Sequence, residues 1–230
     1  MSVFFVGGID TDAGKSYATG MMARYLHKRK IRIITQKLVQ TGVELGMAED
    51  LLLHRTLMGV KPFPRDLDGT TCREIFKFPA SPHLAAAREQ RIIDLKAITA
   101  ATELLEREFD TILLEGAGGL HVPLKRGFLS IDYLAERHYP LILVTSGKLG
   151  SINHTLMSLE TAAARGIKIA GMVFNRFFDT NPEISADALE IFREALKKYS
   201  CPNALVELPA IDKSNPPDVS FASIFDKYDS

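Results

Sequence analysis

The chain has little cysteine, no net charge and no long apolar run, and each absence narrows what it can be. Its two cysteines, Cys72 and Cys201, lie far apart, and no Cys-x-x-Cys or paired-histidine spacing indicates a zinc site. Basic and acidic residues each number 28, so no overall field favours nucleic acid or an anionic membrane. There is no membrane-length apolar run and no basic leader with a cleavage site. We therefore expect a soluble, reduced, cytoplasmic protein.

The length and composition suit a single enzyme-sized domain. A chain of 230 residues with 46% hydrophobic content can bury a substantial core. No internal repeat, low-complexity tract or linker interrupts it. The sequence therefore predicts one domain over residues 1–230.

The most informative stretch runs from Gly7 to Ser16, after the apolar residues 3–6 and at the start of a helical pattern. Its glycines let backbone N–H groups approach an anion, and the helix start adds the positive end of its dipole. Lys15 can reach β- and γ-phosphates, and the Ser16 hydroxyl is placed to ligate Mg²⁺. The stretch predicts a nucleotide phosphate site. The alternative is a glycine-rich turn with a solvated lysine.

This loop departs from better-known versions in two ways. The spacing G-x-x-x-x-G-K-[ST] would put glycine at position 9, which is Ile9, so counting from Gly8 the loop is one residue longer. Partition-type and septum-site ATPases carry a second lysine five positions before the invariant one, and here that position is Asp10. The missing lysine argues against a DNA- or membrane-patterning ATPase.

Short apolar, β-rich runs alternate with helical stretches along the chain. The pattern predicts an α/β fold of the P-loop NTPase type, a doubly wound, mainly parallel sheet with helices on both faces. Predicted strands cover residues 3–6, 31–35, 111–114, 141–145, 168–174 and 205–208, with a candidate edge strand at 74–78. Predicted helices cover residues 16–28, 47–57, 95–108, 131–137, 153–165 and 182–199, and Gly166 is placed to end the fifth.

Charged side chains follow the predicted strands, at the sheet edge where such folds bind ligands. Lys37 follows the second strand and could pair with a transferring phosphate, unless it is only a surface lysine. Glu115 precedes a glycine-rich run, as an acidic partner of phosphate-bound Mg²⁺ would, unless it is a helix cap or a surface charge. Asp50 could add a metal-side oxygen or only complement a helix dipole, and Glu49 competes for that role.

Five motifs, taken in order, resemble the dethiobiotin synthetase family. They are Gly8 to Ser16, Lys37 with Thr41-Gly42, Ser81 to Ala86, Glu115 to Gly119, and Leu149 to His154. No single motif is unique, but the ordered set is specific and spans most of the chain. Leu38 departs from the family, which usually has proline there, and the short segment after Gly42 makes the match of Asp50 to the family's metal-binding aspartate an inference.

The resemblance implies an ATP- and Mg²⁺-dependent ring closure in biotin biosynthesis. An amine of 7,8-diaminononanoate captures CO₂ as a carbamate, the carbamate attacks the γ-phosphate, and the second amine closes the ring of dethiobiotin as phosphate leaves. Matched position by position, the catalytic residues would be Lys37, Lys15 and Thr11, and the metal ligands Ser16, Asp50 and Glu115. Such a transfer needs charge neutralisation and alignment rather than a protein nucleophile.

The resemblance also implies residues that bind the nucleotide and the substrate. Those for ATP would be Asp12, Ala13, Gly14, Lys15, Ser16, Tyr17, Glu115, Gly116, Ala117, Gly118, Asn175, Arg176, Pro209, Ala210 and Ile211. Those for the substrate would be Thr11, Lys37, Thr41, Gly118, Leu149, Gly150, Ser151, Ile152 and Asn153. Family members are homodimers in which the far end of the substrate reaches the partner subunit. The base preference stays open, and Asn175 could instead form an Asx turn.

Two other functions fit parts of the pattern. A non-catalytic P-loop module would bind nucleotide without turnover, but Lys37, Thr41 and Glu115 in one chain argue against it. The synthetase half of a cobyrinate amidotransferase would carry a glutaminase domain, for which this chain has no room. In the third motif, Ser81 before Pro82 predicts a helix N-cap.

Overall fold

The computed structural model describes residues 2–44, 46–179, 181–201 and 203–226. The strands are β1 (Ser2–Gly8), β2 (Ile33–Lys37), β3 (Gln40–Thr41), β4 (Ile75–Phe76), β5 (Thr111–Gly119), β6 (Pro123–Lys125), β7 (Phe128–Leu129), β8 (Leu141–Ser146), β9 (Ile169–Asn175) and β10 (Leu205–Leu208). The helices are α1 (Lys15–Lys28), α2 (Glu49–Met58), α3 (Pro64–Leu67), α4 (Pro82–Arg88), α5 (Leu95–Glu106), α6 (Ser130–Arg137), α7 (Ser151–Ala164), α8 (Pro182–Lys198) and α9 (Ala222–Phe225). Short 3-10 turns lie at Thr11–Ala13 and Arg176–Phe178.

Six strands form the central sheet in the order β10-β9-β8-β1-β5-β2, and the neighbouring pairs run parallel. Strands β1, β2, β8 and β9 are buried along nearly their whole length. Strands read as continuous apolar runs when both faces of the sheet are covered, and the connecting helices supply that cover. The predicted α/β fold, with a parallel sheet flanked by helices, is confirmed.

The centre of the sheet is also where its strand order reverses. Strand β1 lies between β8 and β5, so the chain turns in opposite directions on its two sides. Ligands in open α/β sheets bind beyond the carboxyl ends of the strands at such a point. The loop from β1 to α1 and the ends of β2, β5 and β9 line one cleft there.

Lys37 lies within a strand, although the predicted second strand ended at residue 35 and placed this lysine just after it. Strand β2 begins at Ile33, two residues later than predicted. Ile31 belongs instead to the turn after α1, where its N–H donates to Leu26 O at 3.2 Å. The strand then continues to Lys37, which gives this side chain a position set by the sheet.

Glu115 also lies within a strand, contrary to the prediction that β5 ends at residue 114. Strand β5 runs on to Gly119, which pairs with Gly8 of β1 after a register shift. The register places Lys37 directly opposite Glu115 on the neighbouring strand. Two opposite charges are therefore held side by side by backbone pairing.

The region 59–82 contains more regular structure than the sequence predicted. The expected edge strand at 74–78 is the short β4, which pairs in parallel with β3 and not with the central sheet. Helices α3 and α4 flank it. Ser81 occupies the N-cap position of α4 with Pro82 at the first helical position, as predicted, but its side chain makes no capping hydrogen bond and its Oγ lies 3.2 Å from His83 Nδ1 instead.

The other helix ends differ from prediction by one or two residues, and Gly166 follows the end of α7 with a φ of 68°, as expected for a helix stop. The β6–β7 hairpin was not predicted.

In the C-terminal segment, Phe225 packs edge-on against Phe4 and Phe221 against Tyr25. This segment therefore completes the core beside β1 and α1. Within the described ranges, no helix has the length and apolarity to cross a bilayer.

Candidate active site

The loop between β1 and α1 has the geometry of an anion cradle. Helix α1 begins directly after Gly14, whose φ of 89° lies in the left-handed region. A Cβ on Gly14 would lie 2.1 Å from Asn175 Nδ2, so glycine is required there. Asn175 Nδ2 donates to Ala13 O at 3.1 Å and ties the loop to the end of β9. The first N–H groups of α1 have no intrahelical acceptors and are suited to a phosphate.

Lys15 bends back over its own loop. Its Nζ donates to Asp10 O at 2.8 Å and to Thr11 O at 3.3 Å. The pKa of Lys15 is lowered from 10.5 to about 8, mainly because the side chain is buried. The positive charge of Lys37 also lowers this pKa, and the negative charge of Glu115 partly offsets the decrease. An anion beside Nζ would favour the charged form. Lys15 is therefore held where a phosphate would stabilise its charge.

Three side-chain oxygens converge at the start of α1. Ser16 Oγ lies 2.8 Å from Asp50 Oδ1 and 2.9 Å from Glu115 Oε1. Asp50 reaches this point from the first turn of α2, whereas its neighbour Glu49 is exposed. Of the two acids that the sequence left as competitors, the structure brings Asp50 to Ser16.

Lys37 sits between the two carboxylates. Its Nζ lies 2.5 Å from Asp50 Oδ2 and 2.7 Å from Glu115 Oε1, and it also donates to Gly116 O at 3.2 Å. Burial by itself would lower the pKa of Lys37, but Glu115 and Asp50 outweigh it and raise the pKa above its ordinary value. Burial would likewise raise the pKa of Glu115, but Lys37 and His54 hold it well below its usual range. Both groups are therefore charged at neutral pH.

These oxygens fit a magnesium ion that is bound together with a nucleotide. Mg²⁺ prefers hard oxygen ligands and usually keeps water and phosphate oxygens in its coordination shell. Among the residues that the structure describes, no group of three or more His, Cys, Asp or Glu side chains could enclose a metal alone. A set of Ser16, Asp50 and Glu115 would thus rely on phosphate to complete the shell. Their role as metal ligands stays a prediction.

One cleft of about 560 Å³ brings most of the predicted residues together. Its lining contains the predicted residues Thr11, Asp12, Gly14, Lys15, Ser16, Tyr17, Lys37, Thr41, Asp50, Glu115, Ala117, Gly118, Asn175 and Ile211. The sequence reasoning did not name five others in the lining, which are Val39, Gln40, Leu53, Lys148 and Phe177. Ala13 is buried in the phosphate loop, and Gly116 packs against Phe5 beside the cleft.

Several residues predicted to bind the nucleotide lie outside this lining. Arg176 is engaged by Glu207 and Asp179, at 2.9 and 2.7 Å. Pro209 and Ala210 are exposed and do not line the cleft. Asn175 does line it, and its Oδ1 accepts from Phe177 N at 3.1 Å, which is the Asx turn considered as its alternative role. Nucleotide contacts by these residues stay predictions.

The residues predicted for the far end of the substrate lie at a smaller hollow next to the cleft. Leu149, Gly150 and Ser151 line this hollow of about 120 Å³, and Asp12 and Lys148 border both spaces. Helix α7 begins at Ser151, two residues earlier than predicted, so its N-terminus lies at this hollow. Ile152 and Asn153 are outside the lining. Within one chain the two parts of the predicted substrate site are therefore adjoining spaces with two lining residues in common.

Sequence reasoning missed a buried polar group behind the cleft. His54 is fully buried, and its Nε2 lies 2.9 Å from Glu115 Oε2. The signal was available, because Asp50 and His54 are four residues apart on one helix and so share a face. His54 interrupts the apolar run of α2, and its position four residues after Asp50 could have indicated that it faces the site.

The fold and the cleft define a P-loop nucleotide-binding protein, and a model of the AAA domain family matches residues 2–218. The chain is 48% identical over 206 residues to ATP-dependent dethiobiotin synthetase BioD 2 of Pasteurella multocida, with 90% of this chain and 96% of that one covered. It is also 48% identical over 210 residues to ATP-dependent dethiobiotin synthetase BioD of Chlorobaculum tepidum, with 91% and 86% covered. The chain belongs to the dethiobiotin synthetase family, whose members are ATP-dependent ligases of biotin biosynthesis.

A solved structure shares the fold at low sequence identity. The MinC:MinD cell division protein complex of Aquifex aeolicus matches with a TM-score of 0.55 at 16% identity, over 91% of this chain and 81% of that chain. The likeness confirms the P-loop architecture and carries no further information on activity.

Proposed function

We propose that this protein closes the ureido ring of dethiobiotin from 7,8-diaminononanoate and CO₂, with ATP converted to ADP and phosphate. The observation that carries the proposal is the convergence of Lys15, Lys37, Ser16, Asp50 and Glu115 at one end of the phosphate loop. Membership of the family supports the same reaction. A purely nucleotide-binding module would have no use for a buried lysine between two carboxylates beside the phosphate site.

The reaction balances without a protein nucleophile. One substrate amine forms a C–N bond to CO₂ and loses a proton, which gives a carbamate. A carbamate oxygen then attacks the γ-phosphorus, and the bond from phosphorus to the bridging oxygen breaks. ADP departs, and the product on the substrate is a carbamic-phosphoric anhydride. The second amine attacks the carbamate carbon, loses a proton and expels phosphate. Each step needs orientation and charge stabilisation, which fixed side chains supply without reorganisation.

The chain's own residues divide these tasks. Lys15 and the first N–H groups of α1 would bind the β- and γ-phosphates. Lys37, Thr11, Thr41 and Gly118 line the adjoining part of the cleft and would hold the carbamate next to the transferring group. Lys37 lines the cleft as a charged group between Asp50 and Glu115, and from there it would supply positive charge to the transferring phosphate.

Ser16, Asp50 and Glu115 would hold Mg²⁺, which when bound supplies positive charge to the phosphate oxygens. The fit rests on their converging oxygens and on the charged state of Glu115. Asp12, Ala13, Gly14 and Tyr17 would surround the phosphates and the adjoining part of ATP. Asn175 and Ile211 border the open end of the cleft, where the base would lie. Arg176, Pro209 and Ala210 would have to move to contact it.

We also propose that two copies form a homodimer in the cytoplasm. Leu149, Gly150, Ser151, Ile152 and Asn153 would bind the substrate carboxylate through the N-terminus of α7. Leu149, Gly150 and Ser151 line the adjoining hollow and not the cleft itself, which supports a site completed by the partner. Leu149 is 91% exposed, as a residue awaiting a partner would be.

The direct test mixes the protein with MgATP, bicarbonate and 7,8-diaminononanoate, and follows both phosphate release and product mass. We expect the dethiobiotin mass to appear only when all components are present. Size-exclusion chromatography with light scattering reports the dimer separately. Nucleotide binding without substrate-dependent phosphate release would refute the proposed reaction and favour the non-catalytic module.

A further inference from the structure

We infer that His54 is a positioning residue that fixes the orientation of Glu115, and that Thr35, Arg55 and Asp66 hold His54 in turn. The inference rests on the proposed function, since it assigns the reason why Glu115 must be oriented. It concerns a buried group that touches neither substrate nor nucleotide. His54, Thr35, Arg55 and Asp66 are termed the support chain below.

His54 divides the two oxygens of Glu115 between two tasks. Its Nε2 lies 2.9 Å from Glu115 Oε2, on the side away from the cleft. The other oxygen, Oε1, lies 2.9 Å from Ser16 Oγ and 2.7 Å from Lys37 Nζ. A carboxylate held at one oxygen cannot rotate freely, so Oε1 stays aimed at the cleft as a single ligand oxygen.

The hydrogen-bond partners assign the proton on the His54 ring. Arg55 can only donate, and its Nη1 donates to Thr35 Oγ1 at 2.6 Å. Thr35 Oγ1 also lies 3.0 Å from His54 Nδ1 and holds the other side of the ring. The Glu115 carboxylate can only accept, so the His54 Nε2–H donates to its Oε2. Every polar hydrogen in this arrangement has an acceptor.

The far end of the support chain is anchored to the protein on several sides. Arg55 Nε and Nη2 donate to the two oxygens of Asp66, each at 2.8 Å. Asp66 also accepts from Phe63 N at 2.7 Å and from Thr71 Oγ1 at 2.7 Å. All four members of the support chain are at most 5% exposed. A fully bonded, buried network of this kind holds its members rigidly.

Through this network the region 59–82 supports the position of both Glu115 and Lys37. Thr71 O accepts from Lys37 N at 2.8 Å, so the same short segment that anchors Arg55 also braces the strand that carries Lys37. Residues that orient a metal ligand commonly change metal affinity by about 10- to 100-fold when they are removed. The support chain is expected to act at the lower end of that range, because Lys37 and Ser16 also contact Glu115.

Mn²⁺ binding in the presence of ADP tests the inference without any turnover. The decrease of the electron paramagnetic resonance signal of free Mn²⁺ measures this binding. His54→Gln places an amide nitrogen near the position of Nε2 and keeps a donor for Glu115. His54→Asn and His54→Leu do not. We expect Mn²⁺ to bind about tenfold more weakly to the latter two variants, and within about threefold of the wild type for His54→Gln.

Two further variants keep the test decisive if changes at His54 prevent folding. Thr35→Val removes the hydroxyl and should weaken Mn²⁺ binding, whereas Thr35→Ser keeps it and should restore wild-type binding. Tyr133→Phe is the matched control, because it deletes a hydroxyl of a buried side chain, 3.2 Å from Thr99 Oγ1, on α6 away from the cleft. Urea unfolding of each variant separates lost stability from lost metal binding.

The outcomes distinguish this inference from the proposed reaction. Equal Mn²⁺ affinity in folded His54→Leu and wild-type protein would overturn it, as would equal weakening in Tyr133→Phe. If the His54 variants do not fold, equal affinity in Thr35→Val and Thr35→Ser overturns it. Wild-type protein that makes no dethiobiotin, but shows the expected Mn²⁺ pattern, would refute the reaction and leave the role of His54 in place.

Discussion

The two sides of the cleft are built in different ways. The β5 side comprises Lys37, Glu115 and His54, which are 5%, 0% and 0% exposed and bonded to one another. The β9 side comprises Asn175 and Phe177, and Phe177 is 64% exposed. One side is a closed network of charges, whereas the other consists of a buried amide, Asn175, which is 4% exposed, and an exposed aromatic ring.

The difference indicates which part of the site is preorganised. A buried charge is tolerable only with its partner in place, so each member of the β5 side depends on the others. Asn175 and Phe177 are uncharged, so a change on the β9 side leaves no buried charge without its partner. We infer that phosphoryl transfer depends on the β5 side and that the β9 side adjusts nucleotide affinity.

The largest effect is expected for Glu115→Gln. It removes the negative charge between Lys37 and His54 and leaves a buried lysine with Asp50 as its one remaining carboxylate among the ion pairs described here, so we expect a loss of about 3 kcal/mol in the free energy of unfolding. Urea denaturation measures this loss. The matched control is Glu207→Gln, whose exposed pairs with Arg176 and Arg193 should contribute less than about 1 kcal/mol. Equal losses in the two variants would contradict the contrast between the sides.

Lys37→Met should separate two roles of one side chain. We expect kcat to fall about 100-fold or more, because a fixed positive charge beside the transferring phosphate is lost. In nucleotide-free protein, Mn²⁺ should bind more tightly than to the wild type, since the ammonium group no longer competes for Asp50 and Glu115. Phosphate release and Mn²⁺ titration measure the two effects, with the exposed Lys61→Met as control. Weaker Mn²⁺ binding would show that Lys37 supports the metal site instead.

The pH dependence of nucleotide binding should report Lys15. Its pKa of about 8 means that the ammonium form is lost as pH rises through 8, and bound phosphate favours that form. ADP affinity should therefore fall by up to about tenfold between pH 7 and pH 9. The folding stability of the nucleotide-free protein should instead rise with pH between pH 8 and 10.5. In that range Lys15 is deprotonated in the folded chain and protonated in the unfolded chain, so the unfolded chain binds more protons. Isothermal titration calorimetry at several pH values measures the expected fall in ADP affinity. A flat profile in the wild type would place the pKa of Lys15 outside this window.

The smallest effect is expected on the β9 side. Asn175→Ala removes the hydrogen bond to Ala13 O, and we expect ADP to bind about fivefold more weakly, with kcat little changed. Asn181→Ala is a suitable control, because it removes the N-cap of α8 and should lower stability without changing ADP binding. A drop in kcat as large as that of Lys37→Met would erase the distinction between the two sides.

Much of the fold and part of the site could be predicted because their signals are local. The phosphate loop, the alternation of strands and helices, and the acids and lysines near strand ends all appear within short windows of sequence. The strand boundaries near Lys37 and Glu115 were less predictable, since pairing with a neighbouring strand extended both strands beyond their apolar runs. The choice between Asp50 and Glu49 could not be made either, because both lie in the same helical turn.

By itself the sequence determined the class of fold, the phosphate loop and the residue types available for phosphoryl transfer, since backbone propensity and hydrophobic periodicity act over a few residues. Tertiary structure alone decided which charges meet. Glu115 contacts Ser16, Lys37 and His54 across sequence separations of 99, 78 and 61 residues. Burying these groups is favourable only when all of them arrive together, and that condition depends on packing of the whole chain rather than on any one segment.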